Sequence, residues 1–409
     1  MQAVANPYTP NAGAEPQAVV GRDDQLGSFD LLLERISRGR TEQSMIITGL
    51  CGVGKTVLLG QFRTKALGRD WVVVEFEVSK NDDSHFRRTI GAKLRTALHE
   101  LSPRARWSDR FNHAAAVLRS FTVTVDAQGK WAAGVNMDAA EGYADHGDLA
   151  LDLSDVFIAM GDAARERGRG VVLLFDEVQF LTKPQLEATI EALHKMIQRK
   201  LPVTMVGAGL PQMAELAGDA KSYAERLFKF PSIGNLGEDD AKSALLKPAV
   251  DEGASYDDDA LEEAVAVTGG YPYFLQELGY AVWTVADGPT IHRSDVVAAV
   301  PQYEAKLDES FFRVRLDRTT ELQKAYLRAM AELGPEPQKA SDVAEKMGRT
   351  SQNLGPTRAE LINMGLLYTP EHAYAAFTVP HFDAFLKRAI PRLVVPERRP
   401  RQRKSRSPQ

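Results

Sequence analysis

The chain has 409 residues, 44% hydrophobic and 26% charged, the composition of a globular protein too long for one ordinary core. A single cysteine excludes an internal disulfide, a CxxC redox pair and a cysteine-based zinc cluster, so a reducing, cytoplasmic setting is expected. The formal net charge of −5 is uneven: from Pro391 onward seven Lys or Arg stand against one Glu, leaving the body at −11. A basic tail of this kind either touches nucleic acid or another anionic surface, or only solubilises.

The N-terminus shows no basic start followed by an apolar stretch, and no apolar run approaches a membrane-spanning length of about 18 residues, so neither secretion nor a membrane partner is expected. Residues 1–17 are rich in Pro, Ala, Asn and Gly and read as an extended segment. From "VVGRDDQLGSFDLLLERISRG" onward, Leu26, Phe29, Leu32 and Leu33 recur at helical spacing and Gly39 closes the helix. A short strand, Met45 to Thr48, leads into the glycine-rich "GLCGVGKT" and a helix carrying Val57, Leu58, Leu59 and Phe62. "WVVVEFEV" reads as a buried strand, followed by helices from about Ser84 to Leu101 and Asp109 to Ser120. The alternation around "DAQGK" predicts a hairpin insertion at about 121–137. After a helix from Leu149 to Arg167 come "GVVLLFDE", another helix and "LPVTMVGAGLP".

Strands apolar on both faces, alternating with amphipathic helices, imply a parallel α/β sheet over residues 18–236. Residues 237–301 read as a wholly helical lid, 302–318 as a linker, and 391–409 as a disordered basic tail. Between them, 319–390 offers three helices and two short strands around "TPEHA", the order of a winged helix-turn-helix.

"GLCGVGKT" fits the phosphate-loop pattern, with Gly49, Gly54, Lys55 and Thr56 at its fixed positions. Glycines let consecutive backbone N–H groups face phosphate oxygens, and the helix N-terminus adds partial positive charge. Gly49, Gly52, Val53, Gly54, Lys55, Thr56 and Val57 are therefore the candidate nucleotide contacts. Lys55 would neutralise the β- and γ-phosphates of ATP, and the Thr56 hydroxyl would complete a Mg²⁺ shell. Cys51 occupies a variable loop position where the backbone suffices; with no second cysteine a redox role has no resolving partner. In "VVLLFDEVQF", Asp176 is the candidate second Mg²⁺ residue, and Glu177 the candidate base for a water attacking the γ-phosphate.

With "VVGRDDQL", "LLFDEVQ", "GAGLPQM", "YAERLFKF" and "TGGYPYFLQELG", the chain resembles AAA-type P-loop ATPases of the origin-recognition-like and STAND kind, including bacterial ones that end in a winged helix. The resemblance spans about Pro16 to Leu386. It implies adenine or ribose contacts for Gly21 and Arg22, with an ordinary surface charge as the alternative for Arg22. It implies an arginine finger at Arg226, usually serving a neighbouring subunit, with an ordinary helix-surface Arg as the alternative. It places Pro272 over the adenine, where Gly269, Gly270 and Pro272 also simply punctuate a helix start. Two departures stand out. The tip of the fourth strand, Gly207-Ala208-Gly209, lacks the usual polar residue that orients water, and the lid helix Tyr271 to Trp283 has no Lys or Arg to sense the γ-phosphate. Slow hydrolysis follows, suited to a switch.

The far end is less decided. Ser351, Gln352, Asn353, Thr357 and Arg358 are types that contact bases or phosphates, so residues 349–358 and the basic tail are the candidate duplex-DNA contacts. Yet residues 319–390 balance eight Lys or Arg against eight Asp or Glu, and the wing has no basic residue. The expectation is an ATP-driven switch coupled to DNA binding. The alternative is a STAND-type signalling ATPase that binds protein and forms homo-oligomers in its ATP state.

Overall fold

Five parallel strands make the central sheet, in the order β2-β3-β4-β1-β5. The structure, a computed structural model, describes residues 1–11, 13–103, 107–122 and 140–397, in two units, Met1–Val300 and Pro301–Gln409. In the first unit, α1 (Asp23–Ser37) precedes β1 (Ser44–Thr48), and α2 (Lys55–Gly68) follows it. Next come β2 (Val72–Glu77), α3 (Asp83–Leu101), α4 (Asp109–Thr122), α5 (Leu149–Glu166) and β3 (Val171–Asp176). The sheet is completed by α6 (Lys183–Gln198), β4 (Val203–Gly209), α7 (Met213–Ala220), α8 (Ala224–Leu227) and β5 (Phe228–Lys229).

The reason for the parallel arrangement is visible in the burial: every residue of β1 and β4 is buried, as is all of β3 except Asp176. Strands of that kind need helices on both faces. Helices α3 to α6 bury Leu94, Leu98, Val117, Phe157 and Leu193 with the strands in one core, while α1 and α2 pack Phe29 on Phe62 at 4.5 Å between ring centroids. Caps fix the helix starts: Asp82 accepts the His85 N–H at α3, and Thr182 with Gln185 forms a reciprocal capping box at α6. β5 has two residues, too few to leave a periodic signal, and was not anticipated from sequence. Most of the anticipated hairpin, from residue 123 to 137, lies outside the described residues.

The lid is not wholly helical. Between α9 (Glu238–Asp251), α10 (Asp258–Thr268), α11 (Pro272–Val285) and α12 (Arg293–Lys306), two-residue strands β6 (Ser255–Tyr256) and β7 (Thr290–Ile291) pair in parallel. The extended N-terminal segment packs on this lid. Tyr8 is 1% exposed, its hydroxyl donates to the Leu245 carbonyl at 2.6 Å and lies 3.0 Å from the Tyr256 hydroxyl, and its ring meets Trp283 edge-on.

In the second unit the stretch read as a linker is helical: a wide-turn segment Leu307–Phe312 continues into α13 (Arg313–Leu316). Phe312 stacks on Phe382 and Phe385, which anchors it to the rest of the unit. Then follow α14 (Glu321–Leu333), β8 (Gln338–Lys339), α15 (Ala340–Lys346), α16 (Ser351–Asn363), β9 (Leu367–Tyr368), β10 (Tyr374–Phe377) and α17 (Phe382–Ala389). The antiparallel order β8-β10-β9 with α14 to α16 is the winged helix-turn-helix arrangement, to which β8 and α17 are additions not read from sequence.

Candidate functional site

The loop after β1 is built for close backbone approach. Gly52 and Gly54 have φ of 90° and 92°, which side chains disfavour, and the turn they allow starts α2 at Lys55. The Lys55 side chain is 6% exposed, and its ammonium donates to the Gly49 and Leu50 carbonyls at 2.9 and 2.8 Å. It therefore lies across the concave face of the loop, over the backbone groups a triphosphate would meet. Val53 is buried, whereas Val57 is half-buried and Thr56 exposed.

Strand β3 is not a neighbour of β1; β4 lies between them. Asp176 still reaches the loop, because the first turn of α2 overhangs that end of the sheet: the Thr56 hydroxyl donates to Asp176 Oδ2 at 2.6 Å. These are two hard oxygen donors side by side. Among the described residues no group of three or more His, Cys, Asp or Glu could form an all-protein metal cage. Two oxygen donors beside a phosphate cradle fit Mg²⁺, which keeps waters and takes phosphate oxygens as its other ligands.

Glu177 follows in the left-handed region at φ 56°, with its N–H donating to Asp176 Oδ1 at 2.8 Å. This turn swings the Glu177 side chain out of the strand direction, and the next three residues form a single tight helical turn, Val178–Phe180. Within it the Gln179 amide donates to Glu177 Oε2, while its carbonyl oxygen accepts the Leu210 N–H at 3.3 Å just past β4. Gln179 was quoted in the sequence motif and given no role. The signal that could have found it is the pair of glycines at the β4 tip. A Cβ on Gly209 would come within 2.8 Å of Val178 Cγ2 and 3.0 Å of Gln179 Oε1, so the strand is bare there because this turn fills the space.

Arg22 is engaged with backbone: its guanidinium donates to the carbonyls of Gly21, Val53 and Gly234 at 3.0, 3.1 and 2.9 Å. Burial lowers its pKa, opposed by the nearby Asp240 carboxylate. It thus ties the phosphate loop to the segment that leads from β5 to α9. Pro272 begins α11, and beside it the Tyr271 hydroxyl donates to the Cys51 carbonyl and the Tyr273 N–H to the Gly52 carbonyl at 3.2 Å. Sequence reasoning had no means to place these two tyrosines on the loop.

Arg226 is exposed on α8, which precedes β5, and its carbonyl accepts from Gln43, the residue before β1. The phosphate loop follows β1, so five strand residues, about 16 Å at ~3.3 Å each, separate Arg226 from its own loop. In the second unit, Ser351, Gln352 and Asn353 are exposed on the first turn of α16, whereas Thr357 is buried and Arg358 half-buried near Tyr326. Thr357 belongs to that unit's core, because position 357 falls on the inner face with Leu354 and Leu361. Arg349 donates to the Pro396 carbonyl, so the chain leading to the basic run starts beside α16.

Residues 18–206 match a family model described as an AAA ATPase domain, and residues 309–386 one described as a domain of unknown function (DUF8462). No curated protein matches. Among solved structures the chain is similar to the Walker-type ATPase PABY2304 of Pyrococcus abyssi, at 16% identity and TM-score 0.56, over 91% of this chain and 97% of that one. It is also similar to Cdc6p from Pyrobaculum aerophilum, at 15% identity and TM-score 0.46, over 96% and 98% of the two chains. The first likeness extends the fold over both units. The protein carries an AAA-type ATPase domain on a P-loop sheet; it binds ATP and is an ATP-hydrolysing enzyme. Among the described residues no helix is long and apolar enough to cross a membrane.

Proposed function

We propose that the chain is a slow ATP-driven switch whose nucleotide state governs how its winged helix meets duplex DNA. The single observation that carries the enzymatic part is the convergence on one loop of the Lys55 ammonium and the Thr56–Asp176 hydrogen bond, with Glu177 next in the chain and its N–H bonded to Asp176. Backbone N–H groups of Gly52 to Thr56 bind the phosphates, and Lys55 exchanges its two carbonyl partners for phosphate oxygens. Thr56 and Asp176 would hold Mg²⁺, which would neutralise charge on the phosphates. Glu177 accepts the proton of a water whose oxygen attacks the γ-phosphorus in line, and ADP leaves with the bridging oxygen's electron pair. Gly21, Arg22 and Pro272 frame the adenine side. Arg226, being remote from its own loop, serves a neighbouring copy in the ATP state, where a positive charge on the γ-phosphate accelerates transfer.

Support for DNA comes from the second unit. Ser351, Gln352 and Asn353 lie exposed at the α16 N-terminus, and in sequence the basic run beginning at Arg398 follows one residue, Glu397, after Pro396, whose carbonyl Arg349 binds. Base-edge types next to a source of phosphate attraction are the two parts a duplex reader needs. The second reading, a protein-facing module of a STAND-type signalling ATPase, is favoured by the burial of Thr357 and the half-burial of Arg358. The deciding experiment measures ATP turnover and light scattering with and without duplex DNA. Duplex binding that strengthens with ATP and weakens with salt supports the switch; ATP-driven oligomers indifferent to DNA support the second reading. Glu177→Gln should retain ATP and stop turnover, and unchanged turnover would remove Glu177 as the base.

A further inference from the structure

We propose that Gln179 positions Glu177 for catalysis, doing from the turn after β3 what the bare tip of β4 cannot. The inference rests on the reading of Glu177 as general base and deepens it. Three observations converge. Glu177 sits in a left-handed backbone conformation at φ 56°, which residues with a side chain seldom adopt and which the surrounding structure must hold. The Gln179 amide is hydrogen-bonded to Glu177 Oε2, leaving Oε1 as the oxygen available to a water. The other end of the same side chain is fastened to the Leu210 N–H, so the carboxylate is referenced to the β4 tip through one rigid amide.

The geometry at β4 supports exchange of the role between elements. Gly207 and Gly209 lie where a polar side chain would have to stand. An added Cβ at Gly207 would meet Val178 Cγ1 at 3.0 Å, and one at Gly209 would meet Val178 Cγ2 and Met213 Cγ at 2.8 Å. The helical turn carrying Gln179 therefore fits because the strand tip is bare. An amide suits the task better than a second acid or a lysine. It donates to the carboxylate without adding charge.

A purely structural role, as a tether for the Leu210 backbone, predicts different behaviour, and two substitutions separate them. Gln179→Glu keeps an acceptor for the Leu210 N–H and loses the donor to Glu177; Gln179→Leu loses both. With full-length protein and Mg-ATP, Gln179→Glu is expected to bind ATP with wild-type affinity and melt as wild type, while kcat falls at least about tenfold. Wild-type kcat for Gln179→Glu, with loss confined to the melting temperature of Gln179→Leu, would overturn the proposal. Glu177→Gln is measured in parallel. If that variant still turns over, the base itself is misassigned and this inference falls with it; if it is dead while Gln179→Glu is normal, only the inference falls.

Discussion

Replacing Tyr8 by alanine tests whether the N-terminal segment is part of the lid. The Tyr8 ring is 1% exposed and lies so close to α11 that a Cβ on Gly279 would come within 2.6 Å of Tyr8 Cδ1. Truncating a buried aromatic of this kind costs about 3–5 kcal/mol. Within that, the edge-on contact with Trp283 accounts for about 1 kcal/mol. The hydroxyl's bonds to Leu245 and Tyr256 account for about 1–2 kcal/mol. Tyr8→Phe should therefore cost only the latter part. Since about 1.4 kcal/mol is tenfold in an equilibrium, Tyr8→Ala should raise local opening roughly a hundredfold or more. Hydrogen exchange read by mass spectrometry on peptides covering 1–11, 238–251 and 272–285 should accelerate together, with the β3 peptide unchanged. Acceleration restricted to 1–11 would refute the reasoning, because α9 and α11 would then owe nothing to the segment.

Lys55→Ala should abolish ATP binding by titration calorimetry while leaving the melting transition in place, since its ammonium bonds only loop carbonyls. Burial raises the pKa of Tyr8 and of Tyr256 in the fold, so their contribution is full below the ordinary phenol value of about 10 and is lost as pH rises beyond it. Denaturant midpoints should thus fall above about pH 10, and a midpoint flat to pH 11 would contradict the buried pair. Gly209→Ala should lower turnover through displacement of Gln179, with ATP affinity retained, as read by steady-state kinetics and nucleotide titration. Removing residues 391–409 should weaken duplex binding and flatten its salt dependence, measured by fluorescence anisotropy across a salt series.

The legible parts of the sequence were those where one residue type has one physical use. Paired glycines ahead of Lys55, and two acids closing the apolar run of β3, announce themselves because backbone approach and charge at a strand end allow few substitutes. The strands β1, β3 and β4 were readable because burial on both faces demands largely apolar runs, and β2 because its β-branched start keeps Val72, Val74 and Phe76 inside while Glu75 and Glu77 face out. What escaped notice depends on contacts distant in sequence. β5 has two residues, and β6 and β7 two each, so none can show a period. Tyr8 looks like part of a polar lead-in until the hydrophobic slot between α9 and α11 exists to receive it. Thr357 looks like a base-reading residue until the α16 face that carries Leu354 and Leu361 is seen to be the inner one.

The absence of Lys or Arg from α11 acquires a different meaning once the lid is placed. A cation there would report on the γ-phosphate by charge; instead the Tyr271 hydroxyl and the Tyr273 N–H bond the carbonyls of Cys51 and Gly52, the residues at the bend of the loop. If the loop is the phosphate cradle proposed above, these contacts would respond to the backbone around the phosphates, not to the phosphates themselves. Any reorientation of the Cys51–Gly52 and Gly52–Val53 peptides that aims the Gly52 and Val53 N–H groups at a γ-phosphate must also move the Cys51 and Gly52 carbonyls, because each peptide unit is planar. Lid position and loop conformation are then coupled through two hydrogen bonds, each worth about 1 kcal/mol. A coupling of that size shifts a two-state balance by about one to two powers of ten, enough for a switch and too little for a motor stroke. A variant that keeps the fold but lacks one bond, Tyr271→Phe, should bind ATP and ADP with a smaller difference between them than wild type. An unchanged ratio of the two affinities would mean that the loop and the lid respond to nucleotide independently.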